Sequence, residues 1–259
     1  MQFVYGDQDE ELRAILSESL APRSPDFLLE LAVPLLTPDS RLLDVGCRDA
    51  RHLIPLVERS GCTGIGIDPV DRNVDGARAA VTAAGLERRI GIRRGVMERI
   101  EEPDDSVDVV WCRDVFEVIP DLQAGLLEVV RVLKPGGAAV VYTVFTTPRL
   151  EPREAAVLEP LGNVPQNLER ARVERAFEQA GLRVERLEEI ATEFREYEEE
   201  RTQPVSDSML RLARLRRRRD EVIERFGEDK YDLWEASLHW LAYILLGKLE
   251  PVAYVLRLP

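Results

Sequence analysis

In Arg41-Leu-Leu-Asp-Val-Gly-Cys-Arg-Asp-Ala50 the short apolar run Arg41–Val45 ends on Gly46, and a stretch with helical spacing follows to Ser60. The pattern predicts a strand, a glycine turn and a helix. The first turn of such a helix leaves free N–H groups that can face a ligand's negative charge, and Gly46 lets the backbone come close to that ligand. A nucleotide pyrophosphate or the carboxylate of an amino-acid ligand would suit the turn equally. Thr63-Gly-Ile-Gly-Ile-Asp68 predicts a second strand with an acid at its end, twenty-four positions after Asp44. A ribose-binding acid is expected at an offset of about 20 residues. Paired with the glycine turn, Asp68 reads better as an acceptor for both ribose hydroxyls than as a solvated aspartate.

The same alternation continues outward. Residues 73–84 are alanine-rich and helical, 89–94 and 107–112 read as strands, and 122–133 form an amphipathic helix stopped by Lys134-Pro-Gly-Gly137. Residues 138–145 are apolar throughout and predict a central strand. Residues 168–180 read as a helix, 182–190 as a strand and 252–258 as a last strand. Strands alternating with helices imply a mostly parallel, doubly wound α/β sheet whose ligand sits beyond the carboxyl ends of the strands. The expected organisation is a helical segment over 1–40, a Rossmann-like core over 41–190, a charged and aromatic helical insertion or lid over 191–251, and the final core strand over 252–259.

Composition narrows the function. The chain has 259 residues, 45% of them hydrophobic, and a formal net charge of −13. Such a chain is repelled by phosphate backbones and anionic membranes, so a small-molecule acceptor is expected rather than nucleic acid or membrane. The basic run Arg211-Leu-Ala-Arg-Leu-Arg-Arg-Arg-Arg219 reads as a solvated helix face. Three cysteines without a C-x-x-C pair and two histidines argue against a disulfide framework or a zinc site. The first ten residues are polar and acidic, unlike a signal peptide, and no apolar run reaches membrane-spanning length. The expectation is a cytoplasmic protein, with a homodimer through the helical insertion as a candidate assembly.

Two further motifs, Gly95-Val-Met-Glu98 with Asp104-Asp-Ser-Val-Asp-Val-Val110, and Glu128-Val-Val-Arg-Val-Leu-Lys-Pro-Gly-Gly137, complete a series from Leu42 to Thr143. In this order they resemble class I, Rossmann-like S-adenosylmethionine-dependent methyltransferases, in particular those acting on small molecules. The resemblance implies a seven-stranded sheet with its last strand antiparallel, S-adenosylmethionine as cofactor, and methyl transfer to an O, N or C atom. It also implies roles. Asp44 and Gly46 would line the methionine end, Asp68 the ribose, and Pro69 and Met97 the adenine. Cys112 and Arg113 would lie near the methionine moiety, where Arg113 either pairs with its carboxylate or makes a surface salt bridge.

Three positions depart from the family's D-x-G-x-G-x-G pattern and its adenine loop. Arg48 and Ala50 replace glycines; alanine costs little if its φ is negative, and Arg48 either meets the carboxylate or points to solvent. Val96 stands where an acid often holds the adenine amino group, so that contact is lost or moves to Glu98. Pro55 implies a late helix start or a bend. These departures motivate the alternative of a methyltransferase-like binding or partner module without catalysis. A nicotinamide dehydrogenase is disfavoured because the G-x-G-x-x-G fingerprint is absent.

A dedicated base is optional for methyl transfer. The candidates are His239, on a helix that caps the site, and Tyr142; each has a packing role as its competing explanation. His52, Asp114, Glu117 and Thr143 carry the same ambiguity. Tyr5 offers an aromatic face for a sulfonium, against a frayed terminus. Phe194, Tyr197, Trp234, Trp240 and Tyr243 line either an apolar acceptor pocket or the inner face of the insertion.

Overall fold

The computed structural model describes residues 8–259, with side chains from Glu10 onward; Tyr5 lies outside the described residues. The strands are β1 (Arg41–Val45), β2 (Thr63–Asp68), β3 (Ile90–Arg94), β4 (Val107–Arg113), β5 (Leu133–Thr146), β6 (Arg183–Glu189) and β7 (Leu249–Arg257). They form one sheet in the order β3-β2-β1-β4-β5-β7-β6. Neighbours from β3 to β5 pair in parallel, and β7 runs antiparallel to both β5 and β6. This is the expected doubly wound class, with the order reversing between β1 and β4, where a crevice opens.

Two apolar layers cover the sheet. Helices α1 (Gln8–Ser17) and α2 (Phe27–Ala32) precede β1; α3 (Leu53–Ser60) and α4 (Asp71–Ala83) follow β1 and β2. α2, α3 and α4 put Leu28, Leu53, Leu56 and Ala77 onto one face, against Leu42 and Trp111. α5 (Leu122–Val132) and α7 (Arg170–Gln179) cover the other face with Leu126, Val129 and Phe177. Each such side chain contributes about 1.5–3 kcal/mol by burial. α1 is different, because its Leu12, Ile15 and Leu16 are exposed.

The helical connections differ in detail from the sequence expectation. Pro55 is the third residue of α3, inside the first turn, where a missing N–H costs no hydrogen bond; the helix starts late, at Leu53. β5 begins at Leu133, which pairs with Val107, so the Lys-Pro-Gly-Gly turn is an irregularity inside the strand. β7 begins three residues before 252 because Leu249, Glu250 and Pro251 pair with the end of β5. Short helix α6 (Pro152–Leu158) lies between β5 and α7. Between β6 and β7 come α8 (Glu193–Thr202), α9 (Pro204–Arg217), α10 (Arg219–Phe226) and α11 (Glu228–Leu245). No described helix is long and apolar enough to cross a membrane.

Candidate functional site

The turn after β1 is built around three left-handed residues. Gly46 has φ +74°, and a Cβ there would fall 2.5 Å from Val115 Cγ2. The amides of Gly46 and Cys47 donate to the Ile67 carbonyl at 2.8 and 3.0 Å, tying the exit of β1 to β2. Arg48 has φ 49° and Ala50 φ 60°. The negative φ that would make alanine harmless is therefore absent; both positions keep the backbone that glycine would favour. Left-handed backbone costs a non-glycine residue roughly 1–2 kcal/mol. Arg48→Gly keeps the amide that donates to Asp68, so it is expected to stabilise the protein by about 1 kcal/mol after the loss in unfolded-state entropy. A thermal melt showing no gain would contradict this account of the turn.

Beside the turn, at the carboxyl ends of β1, β2 and β4, lies a cavity of about 700 Å³. Asp44, Gly46, Arg48, Asp68 and Pro69 line it, as do Val96, Met97, Glu98 and Arg113. The turn is thus open, and the exposed Arg48 side chain does not close it.

Asp68 is buried and already engaged. Its Oδ2 accepts from the Arg48 amide at 3.0 Å, and its Oδ1 accepts from the Val70 amide and the Asn73 Nδ2, at 2.9 and 3.0 Å. A carboxylate offers about four acceptor sites, so three are spent on fixing the turn and the start of α4. That leaves room for one added donor, not the two ribose hydroxyls expected from the sequence, unless Asn73 gives way.

Asp44 has the opposite problem. Its Oδ2 is buried without a hydrogen-bond partner. Burial first, then the charges of Asp68 and Asp49, push its carboxyl up to about 8. A cation delivered to this carboxyl would meet an unpaired acceptor.

Arg113 donates from Nη1 to His52 Nε2 at 2.8 Å, and its guanidinium carbon lies 5.2 Å from the Tyr142 ring centre. Burial and the neighbouring Arg113 and Arg51 lower His52 to about 4. The imidazole is therefore neutral near pH 7, with Nε2 as the acceptor.

Three expected site residues are not at the cavity. Cys112 points to the opposite face of the sheet, among Val110, Phe116 and Leu126. Strand alternation explains this, because Trp111 and Arg113 share the face that Cys112 leaves. Tyr142 is buried on the cavity's side of the sheet but capped by the stacked Phe194 ring at 5.9 Å and by Arg113. His239 lies on α11 away from the cavity, where Nδ1–H donates to the Glu235 carbonyl at 2.7 Å and Nε2 accepts from Arg216 at 3.3 Å. Both ring nitrogens serve helix packing, which removes the ground for a base role.

The other candidates divide. His52 and Asp114 line the cavity. Glu117 is buried behind it, accepting from Thr143 Oγ1 at 2.9 Å and the Val144 amide at 2.7 Å, and burial with the nearby Asp114 raises it to about 7. Thr143 is spent on that bond. Phe194 and Tyr243 belong to the core. Trp234 and Trp240 line a second cavity of about 540 Å³ between α9 and α11. Arg211, Arg216, Arg218 and Arg219 are paired with Asp207, Glu235, Glu221 and Glu228, as a solvated helix face should be. Trp111, Asn73, Val115 and Ile119 also line the first cavity and were not anticipated; the period-two alternation of β4 is the signal that points to Trp111.

Comparison with known proteins agrees with this geometry. Residues 43–141 match the family described as Methyltransferase domain. Methyltransferase GfsG of Streptomyces halstedii is 26% identical over 170 residues, covering 60% of this chain and 61% of that protein. The mitochondrial ubiquinone biosynthesis O-methyltransferase of Homo sapiens is 38% identical over 109 residues, covering 41% of this chain and 29% of that protein. The chain thus matches less than two thirds of the length of either relative. Among solved structures, the [4+2]-cyclase SpnF superposes with a TM-score of 0.73 at 18% identity, over 93% of this chain and 85% of that one. A geranyl diphosphate methyltransferase in complex with S-adenosylmethionine gives 0.69 at 17%, over 90% and 84%. The strand order, the crevice at the turn after β1 and the match over residues 43–141 identify the chain as carrying a methyltransferase domain of the class I, Rossmann-like kind.

Proposed function

We propose that the protein transfers a methyl group from S-adenosylmethionine to an O, N or C atom of a small-molecule acceptor. The observation that carries this reading is the single cavity joining the Gly46 turn, Asp68 and the Gly95–Glu98 loop to the end of β4. S-adenosylmethionine supplies a methyl on a sulfonium, a leaving group that is already activated. The residues present fit it. The unpaired Asp44 carboxyl would take the α-ammonium, and Arg113 or Arg48 the carboxylate as a charge-assisted pair. Asp68 would take one ribose hydroxyl. Pro69 and the buried Met97 would flank the adenine, with Glu98 in place of the acid that Val96 lacks. Asp114 follows β4 with φ 55° and lines the cavity; it is the acid best placed to take a proton from an acceptor.

Calorimetry with S-adenosylmethionine and S-adenosylhomocysteine tests the cofactor, and radiolabelled methyl transfer to a panel of phenols, amines and isoprenoids tests the reaction. Asp68→Ala is expected to weaken cofactor binding about tenfold to a hundredfold, the loss of one hydrogen bond to a charged group at about 1.5–3 kcal/mol. Unchanged affinity would exclude its ribose role. A second reading keeps cofactor binding and drops methyl transfer: the fold also serves SpnF, described as a [4+2]-cyclase, and the turn carries Arg48 and Ala50. Labelled methyl appearing on any acceptor removes that reading.

A further inference from the structure

The cavity is bordered by chain segments from distant parts of the sequence. Pro25 lines it from the segment before α2, and Glu198 lines it from α8, the first helix after β6. Neither belongs to the motif series from Leu42 to Thr143. One side chain binds the two segments to each other. Arg23 Nε and Nη2 grip both carboxylate oxygens of Glu193, at 2.8 and 2.7 Å, and its backbone amide donates to Glu193 Oε2 at 3.1 Å. Its Nη1 donates to Glu188 Oε2 at 2.8 Å and its Nη2 to the Glu189 carbonyl at 2.6 Å. The guanidinium carbon also lies 4.7 Å from the Phe27 ring centre. Arg23 is two residues from Pro25, and Glu193 opens the helix that carries Glu198.

The chemistry separates this contact from an ordinary surface ion pair. The side chain of Arg23 is 27% exposed and that of Glu193 35%. The fork geometry is bidentate, which only arginine provides. The contact spans 170 residues, so it joins elements that no local turn would hold together. Arg186 adds a second cation 5.9 Å from the Phe27 ring centre and pairs with Glu188 at 2.6 Å. The described side chains between 10 and 20, just before this anchor, are all exposed.

We infer that Arg23 is a positioning residue that sets the rate of cofactor exchange, by clamping the segment around Pro25 to α8, both of which line the cavity. This rests on the cofactor reading given above. With the clamp made, a ligand leaves only when the clamp opens or when another wall moves. With it broken, Pro25 and Glu198 separate independently and the ligand escapes faster. Arg23 itself touches neither the ligand nor the reacting atoms.

The test is the dissociation rate of S-adenosylhomocysteine from the full chain, followed by stopped-flow tryptophan fluorescence, to which Trp111 in the cavity wall contributes, with equilibrium binding by calorimetry. Arg23→Ala is expected to speed dissociation at least tenfold. Glu193→Gln, which keeps shape and fold, should speed it severalfold. Arg23→Lys should fall between wild type and Arg23→Ala, because an ammonium keeps the charge without the fork. In the double variant Arg23→Ala/Glu193→Gln the rate should match Arg23→Ala alone, since the partners act as one device. A lower melting temperature with dissociation within twofold of wild type in all variants would make Arg23 a merely structural tie and overturn the inference. If wild type binds no S-adenosylhomocysteine, the cofactor reading itself fails; if wild type binds and the variants do not differ, only the clamp fails.

Discussion

Asp44→Asn is expected to make the ligand-free protein more stable at pH 7 and to lower its affinity for S-adenosylmethionine at least a hundredfold. Both effects come from one unpaired, buried carboxyl. Its folded-state value of about 8 lies far above the ordinary carboxyl value of 3.8. Between about pH 4 and 8 the folded chain therefore holds a proton that the unfolded chain has released. Stability falls as pH rises through that window, and by pH 7 the cost is on the order of 4 kcal/mol at about 1.4 kcal/mol per unit. Asparagine removes that cost but leaves a buried amide short of partners, at about 1–3 kcal/mol. A net gain of about 1–3 kcal/mol remains. The gain should vanish below about pH 4, where wild-type Asp44 is neutral in both states.

The affinity loss has the same origin. An α-ammonium pairs with a carboxylate, not with a neutral acid or an amide. At pH 7 wild-type Asp44 must lose its proton as the ligand arrives, so binding releases close to one proton. Affinity should climb from pH 6 toward 8 and then flatten, since an α-amino group itself begins to lose its charge near 8. Calorimetry in buffers of different ionisation enthalpy measures the proton directly. Release of no proton by wild type would show that Asp44 does not hold the ammonium, and a less stable Asp44→Asn at pH 7 would show that the buried carboxyl carries no such cost.

How far the site was legible from the amino-acid sequence depends on the range of the interaction involved. β1 was bounded correctly at both ends because a short, mostly apolar run, broken only by Asp44, meets Gly46, a purely local signal. The sheet class followed from the repetition of that signal. Asp68 was placed correctly at the cavity, yet its commitment to the Arg48 amide and to Asn73 depends on how β1 and β2 come together, which no local pattern carries. Cys112 failed on parity: a residue adjacent to Arg113 in sequence is opposite to it in a strand. Lys-Pro-Gly-Gly was read correctly as the end of the helix, since α5 stops at Val132, but tertiary pairing of Leu133 with Val107 starts β5 ahead of that turn, not after it. His239 was read correctly as helical, but its distance from the cavity could not be read from its neighbours, because Arg216, its partner at Nε2, lies on another helix.

Gly46 is where backbone, packing and ligand space meet, and its replacement should be the most damaging single change at the site. Gly46→Ala puts a methyl group into left-handed backbone, at roughly 1–2 kcal/mol, and drives its Cβ to within 2.5 Å of Val115 Cγ2. Overpacking of that kind adds typically 1–3 kcal/mol. Val115 stands on the loop after β4, packed against the turn, and it lines the cavity. The strain can be relieved only by pushing that loop outward or by displacing the turn, and either movement disturbs the space between Asp44 and Arg113. The expected result is a loss of about 2–5 kcal/mol in stability together with cofactor binding too weak to detect by calorimetry. The two causes separate in the double variant Gly46→Ala/Val115→Ala. Removing the Val115 branches abolishes the overlap but not the backbone cost. Binding should therefore return to within about tenfold of the Val115→Ala protein, whereas only part of the stability recovers, since the dihedral penalty of roughly 1–2 kcal/mol persists. If the double variant binds no better than Gly46→Ala, the close approach to Val115 is not what Gly46 is there to permit, and the turn's conformation alone would have to explain the glycine.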